Sequence, residues 1–165
     1  MSDRIEYRGF FASFGEPVSV LFSMVKIIPL LTVDKENYGI PVEVEALWDT
    51  GAEVSCMKPA LFERLKLYPL DVANHTELAG VGGSVMAKST LVNLFITNNL
   101  EIEYCPVYVL DFPGDTDFLI GMDIIGMGDF AISNTNNKTS FSFVIPPFPD
   151  RINLAEKAET ANKKK

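Results

Sequence analysis

Histidine is almost absent from this chain: His75 is the only one in 165 residues. A histidine-rich metal site is therefore excluded, and a Ser-His-Asp or Cys-His hydrolase would have to be built on His75 alone, with no nucleophile-elbow or cysteine-protease motif around any partner. Cysteine is scarce too. Cys56 and Cys105 stand 49 positions apart with no second pair, which gives no zinc spacing and no disulfide framework, so buried free thiols are expected. Basic residues are outnumbered, 14 against 22 acidic, for a net charge of minus 8. A surface of that sign does not attract nucleic acid, and no nucleic-acid partner is expected. No apolar run is long enough to span a bilayer. The stretch 18–31 is broken by Lys26 and Pro29 and preceded by Glu16, so neither a signal peptide nor a membrane contact is expected, and the localisation expected is cytoplasmic. The sequons at Asn74 and Asn137 then carry no glycan.

What is present is a soluble-globule composition, 47% hydrophobic and 22% charged, in a length that suits one core. Strand signals dominate. Residues 17–23 and 40–48 alternate, the second with Val42, Val44 and Ala46 on one face and Glu43 and Glu45 on the other. Short apolar runs at 91–97, 104–110, 130–133 and 139–145 are separated by turn residues such as Asn98-Asn99 and Pro113-Gly114. One good helix is expected at 58–67, with Pro59 in its first turn and Leu61, Phe62 and Leu65 on one side. The stretches 3–15 and 24–39 read as an N-terminal strand and an extended loop. Residues 150–165 are polar, without aromatics, and read as a frayed helix or a disordered tail.

The chemistry concentrates at Asp49-Thr50-Gly51-Ala52, which follows the apolar Ala46-Leu47-Trp48. It places a carboxylate on a tight turn at a strand end, where Gly51 permits close folding and Thr50 offers a hydroxyl. Trp48, at the end of an apolar strand, is expected in the core. About thirty residues on, Gly80-Val81-Gly82-Gly83 reads as the tip of a long hairpin. Its glycines do not form a dinucleotide fingerprint, since the third glycine and the following helix are missing. Farther on, Leu119-Ile120-Gly121 ends an apolar strand ahead of a short helical turn.

Together these three motifs resemble the retropepsin family of aspartic proteases over roughly residues 41–147. The Leu119-Ile120-Gly121-Met122-Asp123 segment is more similar to cellular and bacterial members, including the ubiquitin-shuttle proteases, than to retroviral ones. Retroviral enzymes usually carry Gly-Arg there, so their arginine ion-pair network is not implied where Met122 stands.

The resemblance implies an all-β, retropepsin-like acid-protease barrel with one or two short helices. It implies three regions: 1–39 as an N-terminal strand and extended decoration, 40–147 as the protease core, and 148–165 as a flexible tail. Only one Asp-Thr-Gly occurs, because Asp115-Thr116-Asp117 lacks the glycine, and no internal repeat supplies another. The second carboxylate would then come from Asp49 of a second copy across a two-fold axis, making the partners a homodimer and a protein or peptide substrate. The implied activity is aspartic endopeptidase: the Asp49 pair activates a water, with no metal and no cofactor. Asp49 is the implied catalytic group, Thr50, Gly51 and Ala52 its support, Gly80, Val81, Gly82 and Gly83 a substrate-covering flap, and residues 139–145 a candidate strand of the dimer sheet. Ala52 and Glu53 are expected to line the cleft; neither Glu53 nor Asp123 is assigned a catalytic role. The alternative is a non-catalytic retropepsin-like module for dimerisation or peptide binding.

Overall fold

The alternation of residues 42–48 becomes strand β3 (Val42–Trp48), with Val44, Ala46 and Trp48 buried and Glu43 and Glu45 exposed. Ten strands in all are found in the computed structural model, which describes residues 5–33, 38–70, 76–80 and 83–163. The others are β1 (Arg8–Ser13), β2 (Leu21–Pro29), β4 (Cys56–Met57), β5 (Thr76–Gly80), β6 (Gly83–Thr97), β7 (Leu100–Val109), β8 (Phe118–Ile120), β9 (Asp129–Ser133) and β10 (Ser140–Ile145). Two short α-helices fall between them, α1 (Pro59–Arg64) and α2 (Met122–Ile125), and a third, α3 (Leu154–Asn162), follows the last strand. Among the described residues, no helix is long and apolar enough to cross a membrane.

Seven strands share one sheet in the order β2-β3-β8-β4-β7-β6-β5, and a further pairing of β2 with β6 closes it into a barrel. Closure leaves an interior filled by alternate side chains, here Val25, Ile27, Ala46, Leu94, Val107, Phe118 and Ile120. The stretch 24–39 does not all behave as the expected loop: Met24 to Pro29 continues β2. Lys26 sits on the wet face, 3.8 Å from Glu43, and Pro29 lies at the strand end, where a missing donor costs little.

The second sheet has three strands in the order β1-β10-β9, both pairs antiparallel. Its inner face meets the barrel through aromatics. Trp48 stacks between Phe10 and Phe130, with ring centroids 5.9 and 5.6 Å away, and meets the edges of Phe141 and Phe143. The Trp48 indole N–H donates to Ser23 Oγ at 2.9 Å, so its polar handle is satisfied inside the core.

α1 is shorter than expected because Lys66 adopts a positive φ of 51°, which no α-helix continues. In the tail, α3 is capped by Asn153, whose side chain accepts from Glu156 N, and buries none of its residues.

Candidate active site

Asp49 follows directly from β3, and its N–H donates to Ile120 O at 3.0 Å, tying the start of the turn to the end of β8. The turn then closes on its own carboxylate. Gly51 N donates to Asp49 Oδ1 at 2.8 Å and Ala52 N to Asp49 O at 3.3 Å. A β-carbon on Gly51 would stand 3.1 Å from Asp49 Oδ1, so a side chain there would crowd the group the turn presents. Asp49 is half-buried, and its Oδ2 has no hydrogen-bond partner among the described residues. Thr50 is exposed, and its hydroxyl likewise has no partner among the described residues of the chain.

Beneath the turn, the loop from Ala52 to Ser55 is fastened to the strand-glycine-helix segment. Met122 N donates to Ala52 O at 2.8 Å and Asp123 N to Glu53 O at 3.1 Å. Gly121 makes this approach possible, since a β-carbon there would lie 2.6 Å from both the carbonyl carbon and oxygen of Val54. Ser55 is fully buried and joins both sides: its Oγ donates to Asp123 Oδ1 at 2.7 Å and accepts from Gly121 N at 3.0 Å. Asp123 Oδ2 accepts from Ser55 N at 2.9 Å, and Oδ1 also accepts from Ile124 N at 2.9 Å. One carboxylate thus gathers three donors at the start of α2.

The expected motifs therefore meet in space: Leu119, Ile120 and Gly121 hold the loop carrying Asp49, Thr50, Gly51 and Ala52. Ser55 and Asp123 are the positions that sequence reasoning left without a role. A lone serine between Val54 and Cys56 gives no periodic signal, and an acid after Gly121 looks like an ordinary helix start.

Gly80 and Gly83 pair with each other at the end of the β5–β6 hairpin, where Gly83 takes a φ of +114° that favours glycine. Val81 and Gly82 lie outside the described residues, as does His75. A cleft of about 440 Å³ opens beside Asp49 and Thr50, walled by Val20, Leu21, Leu47 and Ile132. No described residue of the hairpin lines it, and neither Ala52 nor Glu53 does. The cleft mixes these apolar side chains with Ser19, Thr50, Asn134 and Thr139 around the Asp49 carboxylate, a lining suited to an organic ligand that carries several polar groups. Among the described residues, no cluster of His, Cys, Asp and Glu is placed to hold a metal ion.

Cys56 and Cys105 are both buried free thiols. Burial pushes the Cys56 thiol up to about 11 and that of Cys105 up to about 12, with the Asp123 carboxylate adding to both. Neither is an activated nucleophile.

Residues 41–127 match the family described as gag-polyprotein putative aspartyl protease. No match is found among curated proteins. Solved structures with a similar fold include a retropepsin-like aspartic protease from Rickettsia conorii, 12% identical, with a TM-score of 0.50 over 84% of this chain and 95% of that one. They also include EIAV protease, solved with an inhibitor, 28% identical, with a TM-score of 0.47 over 65% of this chain and 86% of that one. The family match covers more than half of the chain, from the strand that carries Asp49 to the helix that fastens its loop, and the chain belongs to the gag-polyprotein putative aspartyl protease family, with a retropepsin-like fold.

Proposed function

We propose that this chain is an aspartic endopeptidase whose active site forms from two copies, each contributing Asp49. The observation that carries the reading is the posture of Asp49: half-buried at a cleft wall, one oxygen held by Gly51 N–H and the other open. A turn strapped on both sides keeps the carboxylate in one position before substrate arrives, which is what water activation at a fixed carbonyl requires.

Two carboxyl groups in contact across a two-fold axis do not both ionise cheaply, a general property of aspartic-protease pairs, so they share a proton. The ionised member takes a proton from a water as that water attacks the scissile carbonyl. The protonated member hydrogen-bonds the carbonyl oxygen as charge develops, then passes its proton on as the tetrahedral adduct collapses and the amine leaves. Thr50, exposed beside Asp49, meets its counterpart at the axis and locks the two turns. The β5–β6 hairpin acts as a flap, offering main-chain groups to an extended peptide.

The test is co-refolding of wild-type and Asp49→Asn chains in equal amounts. Random pairing leaves about a quarter of the dimers with two carboxyl groups, and activity per chain should follow that fraction. Retention of half the activity would show that each chain carries a complete site, and full activity of pure Asp49→Asn would sink the reading altogether. A wild type that cleaves no member of a broad peptide library would favour the binding module instead.

A further inference from the structure

On the endopeptidase reading, on which this inference rests, a substrate longer than the cleft must leave it across the outer surface of a chain. β2 and β3 turn one face inward and one to solvent, and the wet face of β2 is not polar. Phe22 is 39% exposed and Met24 57%, although a solvated strand face ordinarily carries polar side chains. The register fixes what stands beside them: Phe22 lies opposite Leu47, Met24 opposite Glu45 and Lys26 opposite Glu43. Because successive side chains alternate, Leu47, Glu45 and Glu43 share the outward face of β3. The two strands together present a track of three apolar side chains, two carboxylates and one ammonium.

Both ends of the track meet clefts. At one end, Leu47 is a wall of the cleft that contains Asp49 and Thr50. At the other, Met24, Lys26 and Glu43 border a second cleft of about 250 Å³, whose far side is Phe95, Thr97 and Asn98. It opens where β2 and β6 part, since the two strands pair only from Lys26 to Pro29, opposite Phe95 to Val92. A strand advances about 3.4 Å per residue, so Leu47 and Glu43 stand about 14 Å apart and an extended peptide covers the path with about four residues. The charges along it do not cancel. Lys26 pairs with Glu43 at 3.8 Å, both side chains partly in water, whereas Glu45 is exposed and has no ion pair among the described residues.

Large apolar side chains grouped on a wet face mark a surface that something covers, and the unpaired carboxylate among them says of what sign. We propose that this track is an exosite for the substrate: it holds a segment of the substrate polypeptide outside the scissile bond, with apolar residues on Phe22 and Met24 and a lysine or arginine on Glu45. The long stem of such a residue lies along Met24 while its charged head reaches the carboxylate. Continuity with the Asp49 cleft through Leu47 makes the occupant a part of the substrate, and the excess negative charge makes it basic. A two-fold site carries one track on each chain, so extension on either side of the scissile bond finds one. Contacts this far from the reacting carbonyl bind substrate and transition state alike, and they lower KM without raising kcat.

The experiment is cleavage of a fixed pool of apolar hexapeptide cores, extended at either end by about four residues in which valine alternates with lysine, glutamine or glutamate. An exposed ion pair is worth up to about fivefold in affinity, so lysine-extended peptides should show a kcat/KM about two to five times that of glutamine-extended ones, through KM, and glutamate-extended ones should fall below both. In about 1 M salt, where the screening length is about 3 Å, the lysine-to-glutamine ratio should drop to near one. Glu45→Gln should do the same, while Glu159→Gln, an equal change of net charge on the exposed α3, should keep the ratio. Met24→Ser should raise the KM of all three extended forms. A ratio near one for wild type at low salt, a ratio that Glu45→Gln leaves intact or Glu159→Gln lowers as much, or a KM that Met24→Ser leaves unchanged overturns the exosite and leaves the Asp49 site standing. A wild type that cleaves none of the peptides overturns the endopeptidase reading, and fluorescence anisotropy of the labelled peptides on the same chain then reads the track directly. Equal binding of the lysine and glutamine forms overturns the track as well, whereas a lysine preference that Glu45→Gln removes supports it.

Discussion

Removing one oxygen atom at Ser55 should weaken the whole turn that carries Asp49. In Ser55→Ala the hydroxyl that donates to Asp123 Oδ1 at 2.7 Å and accepts from Gly121 N at 3.0 Å is lost, in a residue with no solvent exposure. A hydrogen bond to a charged group contributes about 1.5–3 kcal/mol, and a buried amide left without an acceptor costs about 1–3 kcal/mol. The two terms overlap, because Asp123 keeps Ser55 N and Ile124 N as donors. A loss of about 3 kcal/mol is the expectation, which for a chain of this size lowers the melting temperature by about 6–12 °C. Circular dichroism melts of wild type, Ser55→Ala, Asp123→Ala and the double variant complete the cycle. Because both residues serve one network, the double variant should be less destabilised than the sum, with a coupling of about 1–3 kcal/mol. Additive effects, or a melting temperature for Ser55→Ala within about 2 °C of wild type, would refute the brace.

Gly121→Ala should cost about 3 kcal/mol or more, visible as lost soluble yield, because its β-carbon would meet the Val54 carbonyl at 2.6 Å and backbone cannot step aside. Folded thiols pushed up to about 11 and 12 keep their protons where unfolded ones, near 9.0, release them. Their contribution to stability is full below pH 9 and lost as pH rises through 11 to 12, by about 1.4 kcal/mol per pH unit and thiol at the steepest. Melts between pH 7 and 10.5 should show the decline, and Cys105→Ala should make it shallower; an unchanged slope would place that thiol in water. Truncation after Ile152 should leave the melting temperature within about 2 °C, since α3 buries none of its residues.

The Asp49 turn was legible in the sequence because its determinants are local: a strand end, a short turn, and a glycine where a side chain would crowd the carboxylate. The alternation in β3 and β10 was legible for the same reason, one wet face against one buried face. Other features required knowledge of the neighbours. Lys26 and Pro29 look like strand breakers until Glu43 is seen beside the one and the strand end at the other. Likewise Glu101 and Glu103 hide the start of β7, which pairs with β6 from Leu100 onward. Nothing in residues 139–145 reveals that both sides of β10 are filled from within the chain, because that follows from where β1 and β9 lie.

Met122 shows how the site is held without the arginine usual in retroviral relatives. Only its backbone takes part: the N–H donates to Ala52 O, while the side chain is 42% exposed. The charge that organises this region is the next residue's, and its sign is opposite. Asp123 collects the Ser55 hydroxyl, the Ser55 amide and the Ile124 amide, donors fixed by the loop and by the first turn of α2. A cation at this place would need acceptors, and the loop offers few, since Ala52 O and Glu53 O already accept from Met122 N and Asp123 N. With the carbonyls occupied and amide hydrogens left over, an anion is the side chain that satisfies the junction. The strap beneath Asp49 thus depends on matched donors and acceptors between the 52–55 loop and Gly121 to Ile124.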